Sequence, residues 1–318
     1  MLYPILALMF FILMLIYFRI ADRYNIIDRP NERSSHAEIT IRGAGVIFLF
    51  AAIAALIVYP SYWLPVLGIF VIGMISFIDD MFTVSNKLRM LFHLTGVTML
   101  LFYLQVFNLL PWYACIGLYI IVIGIINMYN FMDGINGITG AYSLVVLAGL
   151  QYVNIRQTVF VETEMIWIPI LACLVFLYFN FRKKAKCFAG DVGSVTIAFW
   201  IVFLLFRLIV VSGHWQYLLF LVVYGVDSVL TITHRLILRQ NIFKAHRLHF
   251  YQLLVNEQKV SHLRVATGYA VLQAIIIMII VLTADLPTYI LFLIIIIPLF
   301  IIYVAIKPVL VRTATRTL

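Results

Sequence analysis

Long apolar runs dominate this sequence and leave few folds open to it. Apolar residues make up 65% of the chain and charged residues 11%, whereas a soluble domain has about 25% charged residues. A helix needs roughly 20 residues to cross a bilayer. Eleven runs approach that length, at about 2–20, 43–60, 62–79, 90–107, 111–127, 137–154, 165–182, 193–211, 215–235, 265–283 and 287–306. The sequence therefore predicts an all-α, polytopic integral membrane protein of about 11 transmembrane helices, in a single domain over residues 1–318.

The positions of Lys and Arg predict how these helices are oriented. Loops rich in these residues tend to stay in the cytoplasm. If loop 21–42 is cytoplasmic, all but two of the 22 basic residues lie on that side; the exceptions are Arg156 and Arg207. This predicts an N-terminus outside and a C-terminus in the cytoplasm. The first run has no basic segment before it and no small-residue cleavage site, so we expect it to be retained as a helix.

The net charge of +9 does not indicate nucleic-acid binding, because the basic residues follow the predicted topology. Part of the excess of Lys and Arg is explained by the preference of these residues for cytoplasmic loops. The remainder suggests an anionic partner, either a substrate or lipid headgroups. The three cysteines, two of them in apolar runs and one in a basic loop, indicate neither a disulfide framework nor a zinc site.

Four carboxylates converge on the predicted cytoplasmic face, each near the end of a span. Asp79 and Asp80 end the third span, Asp133 follows the fifth, and Asp191 precedes the eighth. Two adjacent carboxylates do not both ionise cheaply unless a cation lies between them. Mg²⁺ typically binds one or two carboxylates together with substrate phosphates. The convergence predicts a site for Mg²⁺, with Mn²⁺ as an alternative; solvated acids at helix ends would explain it too, although an acid at a helix C-terminus opposes the helix dipole.

The stretch 127–137 places polar side chains at steps of three between two apolar runs, and two glycines interrupt its helix. Polar groups at a membrane edge usually mark function. Asn127 and Asn130 can share a helix face, while Gly134 and Gly137 let Asp133 and Asn136 turn toward the same point. The alternative is a polar turn that merely joins two membrane helices.

Two further cytoplasmic segments carry groups suited to phosphate. In 188–194, two glycines flank Asp191 where a helix begins, and backbone N–H groups there can meet phosphate oxygens; a simple N-cap is the alternative. Loop 236–264 contains Lys244, His246, Arg247 and His249, which suit phosphate binding and proton transfer, unless the loop is only a solvated basic segment. These residues predict a metal-dependent enzyme that acts on a phosphorylated substrate at the membrane surface.

Two classes of protein compete with that prediction. A transporter would use ionisable residues within the spans, here Asp227 and Arg207. A lipid-binding scaffold would not require Asp79, Asp80 and Asp191 together.

Taken in order, the motifs resemble those of the polyprenyl-phosphate N-acetylhexosamine-1-phosphate transferases of glycosyltransferase family 4, most closely the O-antigen-initiating members. The similar stretches are 29–36 with Arg42 and Gly43, 77–80 with Lys87 and Arg89, 127–137, 188–194 and 242–249. Two features depart from the family. Asn136 stands where many bacterial members carry Asp, which leaves open whether the position supplies charge or hydrogen bonding. The last loop reads His-Arg-Leu-His rather than the triple His of peptidoglycan members, which argues against a muramyl-pentapeptide donor by analogy.

The resemblance implies transfer of N-acetylhexosamine-1-phosphate from a UDP-sugar to undecaprenyl phosphate, with release of UMP. This would be the first membrane step of an O-antigen-like polysaccharide, at the cytoplasmic face of a bacterial inner membrane. The sugar stays open between GlcNAc and a related N-acetylhexosamine such as a 6-deoxy sugar. A peptidoglycan-precursor transferase remains the alternative within the family. The implied partners are the UDP-sugar, the lipid acceptor and the bilayer, without nucleic acid; a homodimer is compatible with them.

The resemblance also implies roles for individual residues. Catalysis would involve Asp79, Asp80 and Asp191, with Asp79 as a candidate base or an acceptor-positioning group. Mg²⁺ would be held by Asp191 and Asn130. The uridine end would contact Asn127, Asp133 and Phe188. Phosphates and sugar would contact Lys87, His246, Arg247 and His249. The catalytic cytoplasmic loops would be 21–42, 80–89, 127–137, 183–192 and 236–264.

Overall fold

The computed structural model describes residues 2–28, 39–241 and 246–316, with side chains up to residue 310. The described chain is almost entirely helical. Its helices are α1 (Leu2–Arg23), α2 (Ile47–Val58), α3 (Trp63–Met81), α4 (Asn86–Tyr103), α5 (Val106–Leu109), α6 (Trp112–Met132), α7 (Ile138–Arg156), α8 (Glu164–Asn180), α9 (Gly190–Ser212), α10 (Val222–Ile237), α11 (Phe250–Asn256), α12 (His262–Leu282) and α13 (Thr288–Arg316). Short 3₁₀ turns at Ala44–Val46, Pro60–Tyr62 and Trp215–Leu221 precede α2, α3 and α10.

The helices confirm an all-α, multi-pass membrane protein. Within the described ranges, eight helices are long and apolar enough to cross a membrane, and two shorter apolar helices cover Ala44–Val58 and Glu164–Asn180. Each of the eleven predicted spans coincides with a helix or with a helix and its 3₁₀ turn. Among the helices that coincide with a predicted span, α4 opens with the polar residues Asn86, Lys87 and Arg89 and belongs to neither group. The number of spans and the sides of the termini stay predictions.

Helix α9 forms the centre of the bundle. Every residue from Val192 to Phe206 is buried, and α2, α3, α6 and α7 pack around it. By contrast, α1 and α13 are peripheral. In the most apolar stretch of each helix, only 28% of the residues of α1 and 17% of those of α13 are buried. Their outward apolar side chains suit a lipid environment, where helices associate through close packing.

The packing is closest where the 3₁₀ turn before α2 meets the start of α9. A Cβ added to Gly45 would lie 1.9 Å from the Cα of Gly193. Only glycine permits such an approach of two backbones, so this contact fixes the loop before α2 against the first turn of α9.

Two loops distant in sequence run side by side beneath the bundle. Strands β1 (Ile27–Asp28) and β2 (Thr40–Ile41) form a short antiparallel pair, and Ile41 makes a parallel bridge to Cys187. The N–H of Phe188 donates to the carbonyl of Ile41 at 2.8 Å, and the N–H of Ala44 donates to the carbonyl of Phe188 at 3.0 Å. This pairing brings the segment after β2 beside the N-terminus of α9.

Candidate active site

A cavity of about 230 Å³ opens where α3, α6 and α9 have their ends on one face of the bundle. Four of the predicted site residues line it: Asn130, Asp133, Phe188 and Asp191. Asn130 ends α6 and Asp191 begins α9, so side chains far apart in sequence share one space. Of the four carboxylates that the sequence predicted to converge, Asp133 and Asp191 line this cavity, and Asp79 and Asp80 do not.

Asp80, at the end of α3, is tied to the N-terminus of α9. Its side chain is fully buried, and it accepts the backbone N–H groups of Asp191 and Val192, both at 2.9 Å. Arg42 Nε donates to the same carboxylate at 2.8 Å. The first N–H groups of a helix have no partner within the helix and favour a negative charge. Asp80 therefore caps α9 and holds Arg42, and protein donors engage both of its oxygens.

Gly190 makes this cap sterically possible. Its φ is +71°, and an added Cβ would lie 2.4 Å from Asp80 Oδ2. The left-handed backbone and the nearby carboxylate both require a residue without a side chain. The absence of a side chain at Gly190 thus allows the Asp80 carboxylate to reach the N-terminus of α9.

Asp79 points to a different set of donors. It accepts the N–H of Val84 at 2.8 Å and Arg89 Nη1 at 2.7 Å, and it is not part of the cavity wall. Asp79 therefore fixes the loop between α3 and α4 and orients Arg89 in the first turn of α4.

Asp191 lies between the two arginines. Arg42 Nη2 is 3.6 Å from Asp191 Oδ1, and Arg89 Nη2 is 3.6 Å from Asp191 Oδ2. Acids and arginines thus alternate in the order Asp79, Arg89, Asp191, Arg42, Asp80, a set that we call the charged row. Its alternation lowers the cost of placing three carboxylates together at the edge of the bundle.

Asn130 completes the surroundings of Asp191. Its amide Nδ2 lies 3.4 Å from Asp191 Oδ2, and its Oδ1 accepts Ser194 Oγ at 3.1 Å. No group of three or more His, Cys, Asp or Glu side chains in the described part of the chain is arranged to hold a metal. Asp191 and Asn130 offer one carboxylate and one amide oxygen on the cavity wall. That set fits Mg²⁺, which takes few protein ligands and completes its shell with water and substrate phosphates, and it does not fit zinc, which prefers nitrogen and sulfur.

Known proteins share this region. A sequence profile of glycosyl transferase family 4 matches residues 62–209, which include Asp79, Asp80, Asn130 and Asp191. This match covers a little under half of the chain, which is therefore similar to glycosyl transferase family 4 in this region.

This chain is similar to several proteins with a named activity. It is 25% identical over 257 residues to a probable undecaprenyl-phosphate N-acetylglucosaminyl 1-phosphate transferase of Bacillus subtilis, which covers 74% of this chain and 72% of that protein. It is 28% identical over 211 residues to the undecaprenyl-phosphate alpha-N-acetylglucosaminyl 1-phosphate transferase of Escherichia coli K12, over 59% of this chain and 56% of that protein. A phospho-N-acetylmuramoyl-pentapeptide-transferase of Thermotoga maritima is 26% identical over 171 residues, 48% of this chain and 55% of that protein.

The turn between α6 and α7 forms another part of the cavity. Asp133 is half-buried on its wall. Burial raises the pKa of Asp133 from 3.8 to about 7, and the carboxylates of Asp191 and Asp80 add to the rise. Gly134 lies against Tyr251, whose hydroxyl donates to the carbonyl of Phe131 at 3.0 Å. The turn is therefore held by the segment that contains α11.

Asn136 acts by hydrogen bonding in this chain. Its buried amide donates to the carbonyls of Arg182 at 2.9 Å and Lys183 at 3.3 Å. A carboxylate could not donate to two carbonyls. Its backbone N–H donates to His262 Nδ1 at 3.3 Å. Position 136 therefore supplies hydrogen bonds rather than charge, and these bonds connect the α6–α7 turn to the loop after α8.

Five of the predicted substrate-binding residues do not line the cavity. Among them, Asn127 donates to the carbonyl of Ile123 in its own helix at 2.9 Å, and Lys87 is exposed in the first turn of α4. The other three are His246, Arg247 and His249. Burial and the neighbouring His249 lower the pKa of His246 to about 4, so this ring is neutral at pH 7.

His249 belongs to a separate buried group around Asp227. His249 Nδ1 lies 3.4 Å from Asp227 Oδ1. Asp227 also accepts the N–H of Phe250 at 2.9 Å and the hydroxyl of Tyr269 at 2.8 Å. Asp227 therefore anchors the start of α11 to α10 and α12.

The cavity wall also contains polar residues to which the sequence analysis assigned no role. They are Asp28, Arg42, Asn180, Gln252 and His262. His262 accepts a hydrogen bond from the α6–α7 turn. Among these residues, only Arg42 had a sequence signal, since it belongs to a stretch that resembles the family's first loop. Residues 29–36 of that loop, and Lys244 of the last loop, lie outside the described residues.

Proposed function

We propose that this protein transfers N-acetylhexosamine-1-phosphate from a UDP-sugar to undecaprenyl phosphate and releases UMP. One observation carries the proposal: the charged row and Asn130 lie beside a polar cavity at the ends of membrane helices. A soluble nucleotide-sugar and a membrane-bound acceptor can meet only at such an edge. The names of the Bacillus and Escherichia relatives support the same reaction.

The residues of the cavity supply what a phosphoryl transfer requires, which is positioning and charge neutralisation. Asp191 and Asn130 would hold Mg²⁺, which when bound neutralises the donor diphosphate. Asp133 and Phe188 would contact the uridine end. The acceptor is a phosphate monoester with a second pKa near 6, so it is largely ionised at neutral pH and needs no strong base. The contacts of Asp79 and Asp80 accordingly favour positioning over proton abstraction.

The side of the membrane follows from the basic residues. We place the cavity on the cytoplasmic face of a bacterial inner membrane, with eleven spans and the N-terminus outside, because nearly all Lys and Arg lie on the cavity side of the predicted topology. UDP-sugars are then available to the cavity directly.

The relatives favour GlcNAc as the sugar and leave the muramyl-pentapeptide reaction of the Thermotoga relative as the second candidate within the family. A role in O-antigen-like polysaccharide synthesis remains part of the proposal. The transporter alternative loses support, because Asp227 is engaged by the donors around α11 and Arg207 Nε donates to the carbonyl of Phe160 at 3.3 Å. Neither side chain lines the cavity.

The reaction can be tested with purified protein in detergent, UDP-GlcNAc, undecaprenyl phosphate and Mg²⁺, by measuring UMP and the mass of the lipid product. A panel of other UDP-N-acetylhexosamines and UDP-muramyl-pentapeptide would identify the donor. We expect Asp191→Asn to lower turnover by about 100-fold or more, whereas Asp285→Asn, the same change at an exposed loop residue, should leave it unchanged. EDTA should stop the reaction and added Mg²⁺ should restore it.

Size-exclusion chromatography of both variants would show that they fold. A folded Asp191→Asn protein with full turnover would refute the role given to Asp191. Undiminished product in excess EDTA would refute the metal requirement. If no UDP-sugar yields a lipid product with the wild-type protein, the proposed function itself is wrong.

A further inference from the structure

Arg42 is the cation that borders the cavity most directly among the members of the charged row. It follows β2, lines the cavity and has a side chain that is 36% exposed. Arg89 stands on the other side of Asp191, is 25% exposed and is not part of the cavity wall. The two arginines thus have matching contacts with Asp191 but different access to a ligand.

Arg42 has hydrogen-bonding capacity that the described protein groups do not use. A guanidinium has five N–H donors. Within the described part of the chain, Arg42 makes one side-chain hydrogen bond, from Nε to Asp80. The 3.6 Å between Nη2 and Asp191 Oδ1 is too long for a hydrogen bond. Among the described residues, Nε is therefore held by Asp80 while the Nη groups have no hydrogen-bond partner.

This arrangement suits a ligand with several anionic oxygens. A guanidinium binds phosphate with two parallel hydrogen bonds, which a lysine cannot reproduce. Asp191, the residue suited to Mg²⁺, lies 3.6 Å from Arg42 on the cavity wall; the carboxylate of Asp28, on the same wall, also acts on the charge of Arg42. A diphosphate has enough length and charge to contact a metal at Asp191 and the guanidinium of Arg42 together. A single phosphate would satisfy only one of the two.

We propose that Arg42 binds the diphosphate group of the nucleotide donor, and that Asp80 is a positioning residue that orients Arg42 for this contact. This inference rests on the proposed function. It gives Asp80 a role through Arg42 and the α9 cap. The weak contact between Arg42 and Asp191 is then exchanged for hydrogen bonds to phosphate oxygens when the donor binds.

The test compares UDP with UMP, because the two differ by the second phosphate. Binding to purified protein would be measured in the presence of Mg²⁺ for the wild type, for Arg42→Lys, which keeps the charge and loses the planar fork, and for Arg156→Lys, the same change at an exposed residue outside the catalytic loops. We expect Arg42→Lys to weaken UDP binding by about 10-fold or more and UMP binding by much less. Arg156→Lys should change neither.

Steady-state kinetics give a second readout. In Arg42→Lys, the KM for the UDP-sugar should rise by about 10-fold, while the KM for undecaprenyl phosphate stays within about twofold. A structural defect would instead lower the amount of active protein and leave both KM values unchanged. Wild-type affinity for UDP in a folded Arg42→Lys protein would overturn the inference.

The positioning role of Asp80 is tested by combining variants. Asp80→Asn should also weaken UDP binding, and the double variant with Arg42→Lys should bind UDP no more weakly than Asp80→Asn alone, because residues that act as a unit are not additive. Fully additive losses would show that Asp80 acts independently of Arg42. If Asp80→Asn does not fold, Asp80→Glu takes its place in the same combination, because it keeps the charge and displaces the carboxylate that Arg42 Nε contacts; its loss of UDP affinity should likewise not add to that of Arg42→Lys.

The outcomes separate this inference from the proposed function. A wild-type protein that makes no lipid product defeats the proposed function. A wild-type protein that is active, together with an Arg42→Lys variant whose UDP affinity and KM are unchanged, defeats only the inference about Arg42.

Discussion

Replacement of Gly190 by alanine should disconnect Asp80 from α9. The added Cβ would lie 2.4 Å from Asp80 Oδ2 and 2.9 Å from its Cγ, whereas ordinary contact begins at 3.4 Å. The carboxylate must therefore move by about 1 Å, which is the 3.4 Å contact less the 2.4 Å separation. Its hydrogen bonds from Asp191, Val192 and Arg42 measure 2.8–2.9 Å, and a shift of that size breaks or weakens all of them.

The cost can be worked out from two contributions. An alanine at positive φ adds strain of about 1–2 kcal/mol. Separating a buried carboxylate from its partners costs about 3–5 kcal/mol more. Gly213→Ala provides a matched control, because Gly213 ends the same helix at φ +76° and has nothing within 4 Å of its added Cβ. That variant should show the strain alone.

The assay is thermal unfolding in detergent together with UMP release. Gly213→Ala should lower the melting temperature by roughly 2–4 °C per kcal/mol of strain and leave turnover unchanged. The drop in melting temperature should be several times larger for Gly190→Ala than for Gly213→Ala. The turnover of Gly190→Ala should fall by about 100-fold, since a misplacement of about 1 Å near the reacting groups can cost that much. If the two variants lose equal stability and Gly190→Ala keeps full turnover, Asp80 does not have the role described here.

Two further predictions concern the turn between α6 and α7. Asn136→Asp should destabilise the protein by about 2–4 kcal/mol, because two carbonyls lose their donor and face a carboxylate. Asn127→Asp should cost less, because the amide of Asn127 donates only to Ile123 among the described residues. An equal drop in melting temperature for the two variants would contradict this account. The folded-state pKa of Asp133 is raised from 3.8 to about 7, so this group makes the folded protein progressively less stable as pH rises from about 4 to 7. In EDTA, the melting temperature of Asp133→Asn should therefore rise relative to that of the wild type between pH 5 and 7. A difference in melting temperature that does not change with pH would refute the raised pKa.

The sequence predicted the helices well because each depends on a long local pattern. An apolar run of membrane length has few alternatives to a helix, and every predicted span coincides with one. The observed helix boundaries differ from the predicted ones where a capping residue, and not hydropathy, determines the helix end. Helix α4 begins at Asn86 rather than at 90 because Ser85 accepts the N–H of Leu88 at its N-terminus.

The site was predictable only as far as topology determines it. Counting helix ends places Asp80, Asn130 and Asp191 on one face. The contact of Arg42 with Asp80 depends on the bridge between Ile41 and Cys187, which no local pattern encodes.

The last loop shows the opposite limit. His246 and His249 have the residue types of a phosphate site, yet His249 lies against Asp227. The ring of His246 is tilted against that of His249, with the two ring centroids 5.0 Å apart. Residue type alone could not show that a carboxylate from α10 would engage this segment. The sequence likewise gave no sign that Gln252 and His262 would line the cavity.

The contact of Gly45 with Gly193 fixes the backbones beside Arg42 and Asp191. These two backbones touch, so that side of the cavity has no space in which to move. Gln252 and His262 line the cavity as well, and α12, which begins at His262, packs closely against α7. We expect the wall that carries Arg42 and Asp191 to keep its shape when a ligand enters, so that the ligand must fit a site that is already formed.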